Sequence, residues 1–409
     1  MKLSSLIRAA SFCASLVMWF GGSAWGADPA PGPNAAVVYW QSFASMPTVT
    51  AEQADKIAST YATPGSPISD EVKGLLDRYG IAMHDFVRAG KFRHCDWTLE
   101  YEQGPYLVLP HASKMRDMTR VALARARIRI ENGNAAGAVD DVVAVLAGSR
   151  HVANSRLLIS LLVGIAIEDQ AINFLAVHMP ALPESEILRL QGALRDLPPV
   201  TRIADCLKQE GETFADWILR TAEKEYAKAG LRTPNDWLRN LLGDFGWAAS
   251  KSNEKEGPID VSKVTPEIFR AALTRLKADY RELERIARLQ GKERREQAAK
   301  FEAEILRWKK EPKPEEANRL LSATVLPGLA RILEREEASG LRRQLLEVAL
   351  AVQKEGPGVL EKRALPEGGK VEWQKMEGGF ELRVKYPESD KSESLRIGPA
   401  AKEKKDEKK

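Results

Sequence analysis

KMRDMTRVALARARIRIENGNAAGAVDDVVAVLAGS, residues 114–149, is the stretch whose reading decides the fold. Lys114–Glu131 reads as one helix, Asn132-Gly133-Asn134 as a tight turn and Ala135–Ser149 as a second helix. Asn and Gly suit the carboxyl end of a helix because they reach left-handed dihedrals at little cost. Next along the chain, Leu157–Ile167 is an apolar run of 11 residues containing Ser160 and Gly164. It predicts a buried helix that Ser155 caps and that runs to His178, before Pro180. Glu184–Leu197 is shorter and closes on Pro198-Pro199. Short connections between amphipathic helices imply antiparallel neighbours, hence a mainly α fold of helical hairpins or a bundle.

Toward the amino terminus, Ala35, Val38, Trp40, Phe43 and Met46 line one face of a short helix, Thr50 opens a second, and Ser69 opens a third reaching Val87. Leu75, Leu76, Ile81 and Phe86 mark the apolar side of that third helix, and a non-helical stretch, Gly90–Pro110, follows. The chain begins with a positive segment (Lys2, Arg8), 12 residues of apolar core (Ala9–Phe20) and small side chains at Ala24 and Gly26. That is the pattern of a cleaved secretory signal, with the cut before Ala27. A bilayer-spanning helix needs about 20 apolar residues, so no stable membrane anchor is expected after cleavage. The mature protein is expected to be periplasmic or secreted.

Toward the carboxyl terminus, residues 251–316 hold 17 Lys/Arg and 14 Asp/Glu. Within them Thr265-Pro266-Glu267 starts a helix, and Phe269, Leu273, Leu276, Tyr280, Leu283 and Ala287 step along one side of it. Ala298, Phe301, Ile305 and Trp308 resume the stepping after a stutter near Gly291. This narrow seam either folds back on the 200–229 helix or supports self-association through 265–309 as a coiled coil. A helix pair at about 315–354, with a break at Pro327, ends at Gly356-Pro357-Gly358. Alternation around Gly378-Gly379 (Val371, Trp373, Lys375, then Phe380, Leu382, Val384, Tyr386) predicts a β-hairpin, and Glu393–Ile397 a third strand. The expected organisation is a signal peptide (1–26), a helical-hairpin domain (27–200), a long-helix region (201–355), a small β element (356–399) and a solvated charged tail (400–409).

The 114–149 hairpin partly resembles a tetratricopeptide unit, with Ala126, Gly133 and Ala138 at the spacing of that motif's small residues. Arg129 and Arg150 occupy its aromatic and proline positions, and a shift of 34 residues gives Ser160, Ile167 and Ile172, so no repeat follows. Several longer stretches resemble a family of uncharacterised secreted bacterial helical proteins. They are AAVVYWQSFASMP (35–47), CDWTLEYEQGPYLVLPHASKMRDMTRVALARARI (95–128), SRLLISLLVGIAIEDQAI (155–172), NRLLSATVLPGLARILEREEASGLRRQLLEVALAV (318–352) and GGFELRV (378–384). The resemblance implies a helical body with a small terminal β element, and no activity.

Lys+Arg 61 against Asp+Glu 57 gives a formal charge of +4, and removing residues 1–26 leaves 59 against 57. So even a balance points away from nucleic acid. The sequence has no HExxH, Walker A, dinucleotide glycine fingerprint or GxSxG elbow, and its five histidines lie on different predicted elements. No metal and no cofactor are therefore expected. One loop, His94–Glu102, concentrates side chains that carry chemistry. Asp96, Glu100 and Glu102 would supply a general acid and base for an extracytoplasmic hydrolase or lyase on glycan or peptide. Trp97, Tyr101 and Tyr106 would form a stacking wall for a ligand. The plainer reading has these carboxylates capping helices or pairing with Arg116 and Arg120. Glu168 and Asp169 are expected to pair with Arg125, Arg127 or Arg129, and His178 to cap a helix end. Cys95 and Cys206 would form a disulfide or remain separate thiols. The function expected first is a binding or scaffold protein of the cell envelope with a protein or peptide partner, more readily than an enzyme.

Overall fold

The computed structural model describes residues 32–62, 65–228, 266–310, 318–326, 328–362, 370–386 and 391–399. The leader 1–26, Pro327 and the tail 400–409 lie outside them. Asn34 accepts the Ala36 N–H and opens α1 (Ala35–Ala44). Its buried face is Ala35, Ala36, Tyr39 and Phe43, while Trp40 is 40% exposed. The step of four from 35 to 39 to 43 follows the helical period more closely than one through 38 and 40, so Tyr39 takes the inward place expected of Trp40. α2 is Ala51–Ala62, and Ser69 caps α3 (Asp70–Arg78) through the Val72 N–H. The helix expected to reach Val87 breaks at Tyr79 and restarts as α4 (Gly80–Ala89). The restart rotates the phase: Ala82, Met83 and Phe86 face inward, and Ile81 is 73% exposed.

The central hairpin is α5 (Pro110–Glu131) and α6 (Ala135–Ala153), with Asn134 accepting the Gly137 N–H. Ala126 and Ala138 are buried. Gly133 sits at φ +77° with nothing near a would-be Cβ, so it serves the turn rather than a helix crossing. Close approach occurs instead at Gly164 of α7 (Leu158–His178), where a Cβ would lie 2.6 Å from the Ser149 carbonyl oxygen. The Ser155 side chain does not cap α7; Leu157 holds the cap position. α8 (Glu184–Asp196) and α9 (Ile203–Lys228) follow.

The charged rod is two helices, α10 (Pro266–Arg288) and α11 (Gly291–Lys310), parted at Leu289-Gln290 with Gly291 at φ +57°. The seam residues Phe269, Leu273, Leu276, Tyr280, Leu283 and Ala287 are all buried. They pack in a core shared with α9, at a crossing where a Cβ on Gly211 would lie 2.8 Å from Tyr280 Cβ. The seam is therefore covered by its own chain, as in the folded-back reading. α12 (Leu320–Val325) and α13 (Leu329–Glu355) flank Gly328 at φ +85°. β1 (Val371–Met376), β2 (Gly379–Lys385) and β3 (Ser392–Ile397) form an antiparallel sheet in the order β1-β2-β3. Leu382 pairs with Trp373 on one side and Leu395 on the other, and the Gly398 N–H donates to the Ala176 carbonyl of α7.

The result is a mainly helical protein with a small sheet and two apolar cores. The first core joins α1–α6, the later part of α7, α8, the later part of α13 and the sheet. The second joins the start of α7, α9–α12 and Leu333 of α13. Among the described residues, Leu158–Ala181 is long and apolar enough to cross a membrane by length and composition, and over half of its most apolar stretch is buried in the protein.

Candidate functional site: a cleft under the 101–109 loop

Backbone order in the acidic loop starts at Asn34. Its side chain donates to the Asp96 carbonyl (2.8 Å) and accepts the Asp96 N–H (2.9 Å). Asp96 Oδ1 accepts the Thr98 N–H at 2.8 Å, alongside a left-handed Thr98 (φ +53°). Glu100 accepts from Gln103 Nε2 at 2.7 Å. Asp96, Glu100 and Glu102 are all exposed, and none lines the cleft described below. None of the three is hydrogen-bonded to another or paired with Arg116, and Arg120 pairs with Asp117 instead.

The three aromatic residues expected to form one wall are separated. Trp97 is buried in the first core, donating Nε1–H to the His151 carbonyl at 2.8 Å and stacking on His111 with ring centres 4.4 Å apart. Tyr39 and His151 Nδ1 lie 3.0 Å apart beside it, and His111 Nε2 lies 3.1 Å from Ser155 Oγ. Burial pushes both imidazoles down to about 4. The Ser155–His111 spacing suits a nucleophile and base. However, Ser155 is buried and His111 Nδ1 has no hydrogen-bond partner, so neither substrate access nor an orienting acid is in place.

Tyr101 and Tyr106 belong elsewhere. Tyr101 donates to the Ser155 carbonyl at 2.7 Å and lines a cleft of about 250 Å³ between the 101–109 loop, the start of α7, α9 and α10. Leu107, Leu109, Leu157, Leu158 and Phe214 make its walls largely apolar. Glu210, Thr213 and Tyr280 add polar atoms, and no lysine, arginine or histidine is among the lining residues. Glu210 accepts the Leu158 N–H at 2.7 Å, capping α7 from another helix. Burial raises its carboxyl to about 7, against the opposing pull of that hydrogen bond.

The loop is seated by Gly104, at φ +60° and ψ −134°. A Cβ there would lie 2.5 Å from the Trp217 ring, so only glycine lets the backbone lie on the indole. Tyr106 meets the same indole edge-on, with ring centres 5.7 Å apart. Tyr106, Val108 and Ile159 are 56%, 71% and 57% exposed around this loop and the start of α7. A roomier groove of about 380 Å³ lies between Phe43, Met46, Ile57 and α5. Its ionisable rim includes Asp117 and Arg120, which pair with each other at 3.5 Å, so it presents a more self-satisfied surface.

Other expected partners change. Glu168 binds Arg343 (2.7 Å) and Arg150 (3.7 Å), and Asp169 binds Arg342 (3.2 Å), all from helices other than α5. Arg125 and Arg129 instead share Asp141 of α6, and Arg127 binds Glu131. Asp141 is the nearer acid because the turn at 132–134 folds α6 directly against α5. His178 ends α7 as a neutral base, burial pushing it down to about 4, rather than as a cationic cap. Cys95 and Cys206 are unbridged buried thiols belonging to different cores, and burial pushes both pKa values up.

Sequence reading passed over Glu210, although a signal was present. Ile203, Leu207, Glu210, Phe214 and Trp217 step 4-3-4-3 along α9, placing one carboxylate in register with an apolar stripe. Comparison with protein-family models, curated proteins and solved structures finds no match to this chain.

Proposed function

We propose that this is an exported binding protein that holds a small, largely apolar ligand in the Glu210 cleft. The observation that carries the reading is the cleft itself: apolar walls, a few convergent polar atoms and one carboxylate with a displaced pKa. The exposed Tyr106, Val108 and Ile159 give an apolar approach to it. Export rests on the leader pattern of Lys2, Arg8, Ala9–Phe20, Ala24 and Gly26. Binding is favoured over hydrolysis because Asp96, Glu100 and Glu102 stand in solvent, with Asp96 and Glu100 engaged by nearby donors. Self-association through 265–309 draws no support from the seam, which is buried in the second core.

Titration with 1-octanol, followed by NMR, tests the reading. Saturable shifts confined to residues around Leu109, Leu158 and Phe214, abolished in a cleft-filling Thr213→Trp variant, are expected. Absence of saturable binding, or binding indifferent to Thr213→Trp, would overturn it.

A further inference from the structure

The charge balance around the cleft narrows the ligand further. The fully buried carboxylates each have a guanidinium: Asp141 has Arg125 and Arg129, Glu168 has Arg343, and Asp279 has Arg275. This is the usual requirement of a carboxylate removed from water. Glu210, half-buried at the edge of the cleft, departs from it. Its partner is the Leu158 N–H, which satisfies one oxygen but supplies no full positive charge. Across the cleft stand phenols, the Phe214 ring and aliphatic side chains, and none of the described residues lining it is basic. Among the described residues, no counter-charge lines the cavity that adjoins this carboxylate.

We propose, resting on the binding reading above, that the cleft takes a primary aliphatic amine, its ammonium on Glu210 and its tail along Leu109, Leu157 and Phe214. An ammonium donates up to three hydrogen bonds, so it can meet the Glu210 carboxylate with donors left for neighbouring acceptors. An engineered apolar cavity of about 150 Å³ holds benzene. By that scale a cleft of about 250 Å³ takes a tail of about six to eight carbons. A fatty acid of the same length would bring two carboxylates together and is rejected, while the matching alcohol lacks the charge. Occupancy by the amine holds Glu210 ionised, so binding strengthens as pH rises through about 7.

The test is calorimetric titration of the purified chain with n-octylamine, 1-octanol and octanoate at pH 8 and pH 5.5, together with Glu210→Gln and Thr213→Trp. At pH 8 octylamine is expected to bind about 10- to 100-fold more tightly than octanol, with octanoate weakest. The amine preference shrinks at pH 5.5 and disappears in Glu210→Gln. Equal affinity for amine and alcohol in the unmodified chain, or a preference that survives Glu210→Gln, would overturn the amine assignment and leave the binding reading standing. Octanol binding that is absent or untouched by Thr213→Trp would overturn the binding reading and the assignment with it. Should Glu210→Gln fail to fold, the amine-to-alcohol ratio of the unmodified chain at the two pH values decides alone: a constant ratio overturns the assignment.

Discussion

The aromatic centre of the first core and the cleft of the second handle buried polar atoms in opposite ways. Around Tyr39, Trp97, His111 and His151, most polar atoms find a partner inside the fold: a phenol meets an imidazole, an indole N–H meets a carbonyl, and a second imidazole meets a serine. At Glu210 the carboxylate caps α7 yet faces a cavity without a counter-charge. Clustered aromatic and histidine residues thus mark packing here, whereas a solitary acid in an oily stripe marks vacancy. Chemical variety in a stretch of sequence is a weaker sign of a site than a charge whose partner is missing.

The contrast can be broken most severely at Asp141. Its side chain is fully buried and holds both Arg125 and Arg129. Asp141→Ala strands two guanidinium groups and should cost about 3–5 kcal/mol in chemical denaturation. A loss below about 1 kcal/mol would show that the α5–α6 contact does not depend on this pair.

Acid should then separate the two regions. His111, His151 and His178 are held near 4, below the usual value of 6.5. Between those values the unfolded chain binds more protons than the folded one. Stability contributed by keeping these rings neutral is therefore complete above about 6.5 and falls as pH drops toward 4, by about 1 kcal/mol per pH unit for each deeply buried ring at the steepest. Glu210 works in the reverse sense. Its folded value of about 7 lies above the ordinary 4.5, so its contribution falls as pH rises from 4.5 through 7. Denaturation midpoints for the unmodified chain and Glu210→Gln should diverge as pH rises from about 4.5 to 7, the variant becoming the more stable. Parallel curves would remove the cleft carboxyl from the account.

Gly104→Ala is the smallest of the three perturbations and the most local. It places a side chain in a backbone region reserved for glycine and against the Trp217 ring. It should cost about 1–3 kcal/mol and weaken octanol binding by shifting the roof of the cleft. Unchanged binding with reduced stability would show that the loop seats itself without the indole contact.

Much of the helical framework is legible in the chain because burial repeats with the helix. The seam from Phe269 to Ala287, the cap at Ser69 and the strands around Gly378-Gly379 all follow from spacing. Phase is harder to read. Tyr39 replaces Trp40 and Ile81 turns outward because a short helix admits several apolar faces and a one-residue break at Tyr79 resets the angle. Long-range pairing is harder still: nothing near Glu168 in sequence announces Arg343, which arrives on α13 after most of the chain has folded back. The cleft was invisible for the same reason. Its walls come from a loop, two helix faces, a helix start and Leu326 and Ile332 around the start of α13, which only folding brings together, and the one local clue, Glu210, lies among residues whose spacing reads as ordinary core.

α13 carries Leu333 into one core and Leu341–Val352 into the other, and α7 divides its apolar side chains likewise. With 27 residues, α13 is about 40 Å of continuous rod at the usual rise. Melting either half would expose surface that the other half relies on, so heating should give a single calorimetric peak even though the oily interior is split in two. A molecule lodged in the cleft, whose lining includes Ile332 of α13, would raise the temperature at which the distant sheet comes apart.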